Sequence, residues 1–452
     1  MRSLLSTTLC HRTPRLFDPF QRSVQARAKS SIVTAWGAYV GQFTDPVDPA
    51  SDSLEKHART TPVQISLGKL FQYGTDDAAD IAVDAIGAGV RHALVSTRSL
   101  SEGVYASHLA GFGLNRCQQL GQKGSHASVI TRVPGRVTQI ACGREHSAMI
   151  VAKKDRTKAV MVCGNNSYGQ LGIGINDPPR LAVSKGAIGA DQHEPQLQTS
   201  GLVEVTAMND ILRSGETPAK VQCGMDHTAI LTSSGRVFAM GWGSDGQLGV
   251  GPSSTFSHDR PVQVFGLDDV PIVDIDSSTD FTLALSADGR LFYWGNSEYG
   301  QCMTGEKVDQ VLAPIEMPFN GGTIVGIAAG GCHALVLSSD GRVHACGYGA
   351  IGMGAGTISS LTPATVHGIS NVEYIAASTD RCIALDSQRH VYSWGFGNRA
   401  GRLGNGSISE NIHTPVRLDI DPELVQPDLI ALGNDIALLA SNSGFCNPSK
   451  RK

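Results

Sequence analysis

Paired-cysteine motifs, long apolar runs and aromatic side chains are scarce in this 452-residue chain. No stretch of eighteen consecutive apolar residues occurs, which excludes a membrane-spanning helix and leaves only peripheral attachment to a bilayer. The ten cysteines are scattered without a C-x-x-C pair, which argues against a zinc site and a disulfide framework and for small buried residues in a reducing compartment. Aromatics make up 6% and the net charge is −4, so a basic, stacking nucleic-acid surface is not expected. No long amphipathic helical period is found either. The hydrophobic content of 41%, with 52 glycines and 20 prolines, describes a turn-rich β protein with enough apolar sequence for a continuous core.

What is present is a repeat. An aromatic, Cys or Met followed by Gly, then polar residues and a Gly-Gln-Leu-Gly-like turn, recurs at Trp36-Gly37, Phe112-Gly113, Cys163-Gly164, Met240-Gly241, Trp294-Gly295, Cys346-Gly347 and Trp394-Gly395. A second phrase, Gly or Ser three residues before a frequent His, recurs at Gly89/His92, Gly143/His146, Gly224/His227, Ser278/Phe281, Gly330/His333, Ser378/Arg381 and Gly433/Ile436. Spacings of 76, 51, 77, 54, 52 and 48 residues for the first phrase and 54, 81, 54, 52, 48 and 55 for the second indicate a period near fifty. That period is the mark of a propeller or solenoid. The long intervals place insertions near residues 44–85 and 173–220, and a long loop in a compact domain is usually functional or disordered.

Each unit reads as strands. Ser233-Ser234-Gly235-Arg236, Ala287-Asp288-Gly289-Arg290 and Ser339-Asp340-Gly341-Arg342 lie between apolar runs as hairpin turns. About fifty residues hold four short strands and their turns, which is one propeller blade. The chain opens on the first phrase at Trp36 and ends on the second at 430–440, so the terminal fragments complete one another. The expected fold is an all-β, seven-bladed propeller of four-stranded blades, spanning 31–440 with a tail at 441–452, closed by pairing of N- and C-terminal strands, which removes the open edge.

Residues 1–30 hold Arg2, Arg12, Arg15, Arg22, Arg27 and Lys29 against the single acid Asp18, the composition of a mitochondrial transit peptide. Since six of the 37 basic and one of the 41 acidic residues lie there, the remainder carries a net charge of −9.

Motifs that could carry chemistry dissolve into the repeat. His92, His146, His227 and His333 occupy places held elsewhere by Phe281, Arg381 and Ile436, so a structural role within or between blades is expected rather than a metal or general-base cluster. Gly241-x-Gly243-x-x-Gly246 and Gly347-x-Gly349-x-x-Gly352 spell a dinucleotide fingerprint without its strand-to-helix context and read as propeller turns. No cofactor, metal or covalent chemistry is expected. The informative position is the one before the His or its substitute, held by Arg91, Glu145, Asp226, Asp280, Cys332, Asp380 and Asp435. Because the phrase recurs once per blade, five of these seven positions would offer a carboxylate at equivalent radius on one face. An alternative stays open, that Asp simply favours such a turn and faces water.

The pairing of G-x-x-H with a later W-G-x-x-x-x-G-Q-L-G resembles the repeat of the regulator of chromosome condensation family over roughly 31–440. The strings GLNRCQQLG (113–121), CGNNSYGQLG (163–172), WGNSEYG (294–300) and GYGAIGMG (347–354) are most similar to its mitochondrial member. The resemblance implies a guanine-nucleotide exchange factor for a small or dynamin-related GTPase, here the mitochondrial fusion GTPase, at the matrix or peripherally on the inner membrane. It assigns the partner surface to Asp226, Asp280, Asp380, Asp435 and Glu145. It equally implies a scaffold for mitochondrial ribosome assembly, docking pseudouridine synthases or large-subunit ribosomal RNA, for which Arg399 and Arg402 are the local basic candidates. DNA is not an expected partner. The family's wedge, which helps pry open the GTPase, has no residue-by-residue match in 173–220.

Overall fold

The computed structural model describes residues 31–38, 40, 58–65, 67, 81–99, 107–122, 129–174, 199, 201–397, 401–408 and 411–442. Residues 1–30, with the proposed transit peptide, and 443–452 of the tail lie outside them. Strands β1 (Ile32–Gly37) and β2 (Arg59–Ile65) come first. Blade 1 then contains β3 (Ile81–Ala88), β4 (His92–Ser99), β5 (Ser107–Gly113) and β6 (Val129–Val133). Blade 2 contains β7 (Arg136–Cys142), β8 (His146–Ala152), β9 (Lys158–Gly164) and β10 (Val203–Glu204). Blade 3 contains β11 (Pro218–Cys223), β12 (His227–Thr232), β13 (Val237–Gly241) and β14 (His258–Gln263), and blade 4 contains β15 (Ile272–Ser277), β16 (Phe281–Ser286), β17 (Leu291–Asn296) and β18 (Gln310–Met317). Blade 5 contains β19 (Ile324–Ala329), β20 (His333–Ser338), β21 (Val343–Tyr348) and β22 (Ser359–Thr365), and blade 6 contains β23 (Val372–Ser378), β24 (Arg381–Asp386), β25 (Val391–Gly395) and β26 (Ile412–Arg417). Blade 7 joins β27 (Ile430–Leu432) and β28 (Ile436–Ser441) to β1 and β2.

All seven sheets are four-stranded and antiparallel. The expected seven-bladed, all-β propeller is therefore the observed fold, and the closing blade is shared between the chain ends. Its seam is the β1–β28 pair, six residues in register from Ile32 opposite Ser441 to Gly37 opposite Ile436.

Burial follows from blade stacking. The second strand of a blade has neighbours on both faces, so β12, β16, β20 and β24 are buried along their whole length and read as nearly continuous apolar runs. The outermost strands meet water and alternate or turn polar, as in β22 and β26. Apolar clusters run from one blade into the next; one joins Leu231 and Val237 of blade 3 to Ile275, Phe281 and Trp294 of blade 4 and Val336 of blade 5. The innermost strands surround an axial channel of about 500 Å³, whose polar lining includes Gln139, Lys220, Gln222, Asp274, Asp276 and Glu373.

The intervals read as insertions contain more blade than their spacing suggested. Within 44–85 lie β2 and the start of β3, and within 173–220 lie β10, a short helix (Ala207–Ile211) and the start of β11. The extra residues of each interval lie outside the described residues. The reason is that the outer strand of a blade has no fixed phrase, so spacing alone could not separate strand from insert.

Candidate functional site

Each Gly-x-x-His phrase is a two-residue hairpin joining the innermost strand of a blade to the second. In five blades the anchor Gly N–H donates to the carbonyl of the residue three places on, at 2.8–2.9 Å: Gly89 to His92, Gly143 to His146, Gly224 to His227, Gly330 to His333 and Gly433 to Ile436. The anchor is glycine because the His ring lies on it. A Cβ at Gly224 would sit 2.0 Å from His227 Cε1, and one at Gly143 2.3 Å from His146 Cε1.

The two sequence phrases meet in every blade. The residue after each first-phrase glycine donates its N–H to the carbonyl of the residue just before the His position: Ala38 to Asp435, Leu114 to Arg91, Asn165 to Glu145, Trp242 to Asp226, Asn296 to Asp280, Tyr348 to Cys332 and Phe396 to Asp380, all at 2.8–2.9 Å. The glycine itself adopts the left-handed conformation, φ +108° at Gly241 for example, and a Cβ there would meet the Asp226 carbonyl oxygen at 2.5 Å. The hairpins and the following turns therefore share one rim of the torus.

Hydrogen bonds also link the hairpins from blade to blade around the axis. Asn434 N–H donates to Gly89 O, Val90 N–H to Gly143 O, Arg144 N–H to Met225 O, Met225 N–H to Thr279 O, Thr279 Oγ1 to Gly331 O, and Gly331 N–H to Thr379 O. Arg381 completes the circuit, donating from Nε and Nη2 to Gly433 O and from Nη2 to Ile436 O. This rim is a rigid ring rather than a set of free loops.

The four histidines are buried inside it and bond side chains of the next blade. His92 Nε2 lies 2.8 Å from Ser147 Oγ, His146 Nε2 3.1 Å from Thr228 Oγ1, His227 Nε2 2.8 Å from Ser277 Oγ and His333 Nε2 3.0 Å from Cys382 Sγ. Ser147 and Thr228 pass the bond on to the carbonyls of Gln119 and Gln170 in the repeated first-phrase turns. Burial holds these imidazoles neutral, lowering His92 and His227 to about 3 and His146 and His333 to about 4. Among the described residues no group of three His, Cys, Asp or Glu could hold a metal ion.

The five acids of the pre-His position lie on this rim, in unequal surroundings. Asp226 is 9% exposed and held by the Arg144 guanidinium through two bonds. Asp435 carries Arg402 at 3.5 Å and Arg91 at 3.9 Å. Glu145 is half-buried and accepts from Asn165 Nδ2 at 3.2 Å and Cys117 Sγ at 3.4 Å. Asp380 is the more open, with a 45% exposed side chain 3.7 Å from Arg402. Among the described residues Asp280 forms no ion pair, and burial with Asp245 and Asp226 nearby pushes its carboxyl up to about 6 although Arg144 and a Gln247 hydrogen bond oppose the rise. Of the five expected carboxylates, Asp226, Asp435 and Glu145 are engaged by neighbouring side chains, whereas Asp280 and Asp380 are less committed to intramolecular partners. The neutralising residue Arg144 was legible as the neighbour of Glu145, but its aim across to Asp226 of the next blade is a tertiary fact. Arg402 is also corrected as a basic surface candidate, since its side chain is 10% exposed and serves Phe396, Gly397, Asn434, Asp380 and Asp435. Arg399 lies outside the described residues.

Beside the hairpins, the turns after the third strands carry aromatics the sequence reading passed over. Tyr168 and Trp242 meet edge to face at 4.8 Å across blades 2 and 3, and Tyr299 and Tyr348 lie 5.8 Å apart across blades 4 and 5. Their signal was present: both pairs sit within the polar stretch between the first-phrase Gly and the Gly-Gln-Leu-Gly turn.

Two sequence models described as regulator of chromosome condensation (RCC1) repeats match this chain, one at residues 234–285 and 288–337 and the other at 137–170, 219–247 and 272–301. The chain carries regulator of chromosome condensation repeats. It is 29% identical over 456 residues to a mouse RCC1-like G exchanging factor-like protein, covering 92% of this chain and 88% of that one. To a human protein of the same description it is 34% identical over 312 residues, 66% of this chain and 60% of the relative. The structure of human WBSCR16 superposes with a TM-score of 0.73 at 27% identity, over 91% of this chain and 99% of the other. Prp20p of Saccharomyces cerevisiae shares the fold, with a TM-score of 0.67 at 20% identity over 91% of each chain.

Proposed function

We propose that this chain is a guanine-nucleotide exchange factor for a GTPase of the mitochondrion, specifically the dynamin-related fusion GTPase, and that it works without covalent chemistry. The supporting observation is the hydrogen-bonded rim: a stiff, closed surface bearing Asp280 and Asp380 with charge to spare, on a chain whose relatives are described as G exchanging factor-like. An exchange factor acts by holding the nucleotide-free GTPase more tightly than the loaded one. Weakening nucleotide binding by about 10⁵ requires about 7 kcal/mol of differential contact, at roughly 1.4 kcal/mol per tenfold. A preorganised rim loses little conformational freedom on binding, so more of its contact energy reaches that differential. Asp280 and Asp380 pair with basic residues of the GTPase, while Asp226 and Asp435, with their arginines, keep the rim in shape. The basic, acid-poor stretch 1–30 directs the chain to mitochondria, and the matrix or the inner membrane surface is its site of action. A ribosome-assembly scaffold that grips RNA directly is disfavoured, because Arg402 is occupied inside the rim.

The test is release of a fluorescent GDP analogue from the purified fusion GTPase and from a panel of small GTPases. The expected result is acceleration of one of them by the wild type and loss of about tenfold or more in Asp280→Lys/Asp380→Lys, at unchanged melting temperature. Absence of acceleration across the panel, or full activity in the double variant, overturns the proposal.

A further inference from the structure

The rim segment over blades 4 to 6 carries exposed aromatic rings as well as carboxylates. Tyr299 and Tyr348 are 42% and 41% exposed, with ring centroids 5.8 Å apart and planes tilted by 32°. They come from successive blades. Tyr299 sits on the turn after β17, and Tyr348 ends β21 with its N–H bonded to the Cys332 carbonyl at 2.8 Å. The next aromatic along the rim is Phe396, packed near Gly349 and in edge contact with His413 at 5.0 Å. The two rings stand on turns of successive blades with about two-fifths of their surface open to water.

The charge around this pair is negative. Glu298, next to Tyr299, is exposed and its carboxylate has no ion-pair partner among the described residues. Asp380 is 45% exposed with Arg402 only at 3.7 Å. Both act on the half-buried thiol of Cys332, whose carbonyl accepts the Tyr348 N–H, and burial and then these two acids push it up to about 11. Two faces of π electrons flanked by two carboxylates complement a planar cation. A guanidinium fits better than an ammonium, because it stacks flat on a ring while donating sideways to carboxylate oxygens. An acidic neighbourhood excludes a nucleic-acid backbone and an anionic bilayer.

We infer that Tyr299, Tyr348, Glu298 and Asp380 form a docking surface for an arginine-bearing segment of a partner protein. It does not depend on exchange activity. The same surface would serve whether the partner is a GTPase or not; it begins on blade 4, which also carries Asp280, and runs over blades 5 and 6.

The test uses the folded chain and a dodecapeptide of alternating Arg and Gly, with Lys and citrulline counterparts, in a fluorescence-anisotropy titration. The Arg peptide is expected to bind about tenfold more tightly than the Lys peptide, and the citrulline peptide more weakly still. Tyr299→Leu/Tyr348→Leu and Glu298→Gln are each expected to weaken the Arg peptide by about five- to tenfold, without a change in melting temperature. Asp280→Asn, in the exchange reading's own residue, leaves peptide binding unchanged. Equal affinity for Arg and Lys peptides, undiminished binding to the double tyrosine variant, or loss of peptide binding in Asp280→Asn overturns the inference. Lack of nucleotide release with retained Arg selectivity refutes only the exchange reading.

Discussion

Acid should open this propeller from the inside, and the four buried histidines set the scale. Each has an ordinary value of 6.5 and is held near 3 or 4 in the fold, so between pH 6.5 and 5 the unfolded chain binds a proton that the folded chain refuses. With folded values below unfolded ones, the stabilisation is complete above 6.5 and is lost as pH falls. At 1.36 kcal/mol per pH unit, each histidine gives up about 2 kcal/mol over that window, and the four together about 8 kcal/mol. Asp276 and Asp280 work in the opposite sense. Burial raises both to about 6 from an ordinary 3.8, so the fold takes up their protons first and regains about 3 kcal/mol by pH 5. The net loss is about 5 kcal/mol, comparable with the entire stability of many domains. With an unfolding entropy of about 2.1 cal/mol/K per residue over the roughly 340 described residues, the melting temperature falls by roughly 7 °C. Calorimetry from pH 7.5 to 5 measures this, and His227→Gln isolates one contributor. The variant is expected to be less stable at pH 7.5 but to lose about 2 kcal/mol less on acidification. A melting temperature indifferent to pH over this range, or an unchanged slope in His227→Gln, would refute the assignment of the histidines as neutral buried bridges.

Arg381→Met removes the link across the last blade junction. Ile436 O keeps the Gly433 N–H and Arg402 O keeps the Trp36 indole, so the principal orphan is Gly433 O and the expected loss is about 2–4 kcal/mol in urea unfolding. Trp394→Ala empties a fully buried site and breaks the indole bond to Ala350 O at 3.0 Å, and about 3–5 kcal/mol should disappear in the same assay. Gly224→Ala drives a methyl into the His227 ring, and a drop of several degrees in melting temperature is expected even though alanine is otherwise the mildest replacement. Asp226→Asn, unlike Asp280→Asn, should lower the melting temperature, because it leaves Arg144 without its bidentate partner.

Much of this architecture could be read from residue order. The two phrases, seven copies each, gave blade count and closure because both are tied to backbone geometry: the first-phrase glycine sits left-handed against a carbonyl, and wherever a histidine ring covers the second-phrase anchor, that anchor is glycine. The histidines were legible as structural from the substitutions Phe281, Arg381 and Ile436 at equivalent positions. The outer strands were not legible, since β2 and β10 face solvent or bear little packing and so follow no fixed pattern. The tyrosine pair was not legible for a different reason: 299 and 348 each lie in the variable part of a first phrase, in separate blades, and only the stacking of those blades brings the rings together.

Local chemistry repeated along the chain determined that seven sheets form, that one rim gathers the hairpins and that an acidic residue stands on five of them. Only the tertiary structure decided which of those acids are available. Arg144 crosses to the next blade, Arg402 reaches the closing one, and Asp280 is passed by. Charge compensation depends on distances between blades, which fall off from ångström to ångström and are written in no single repeat.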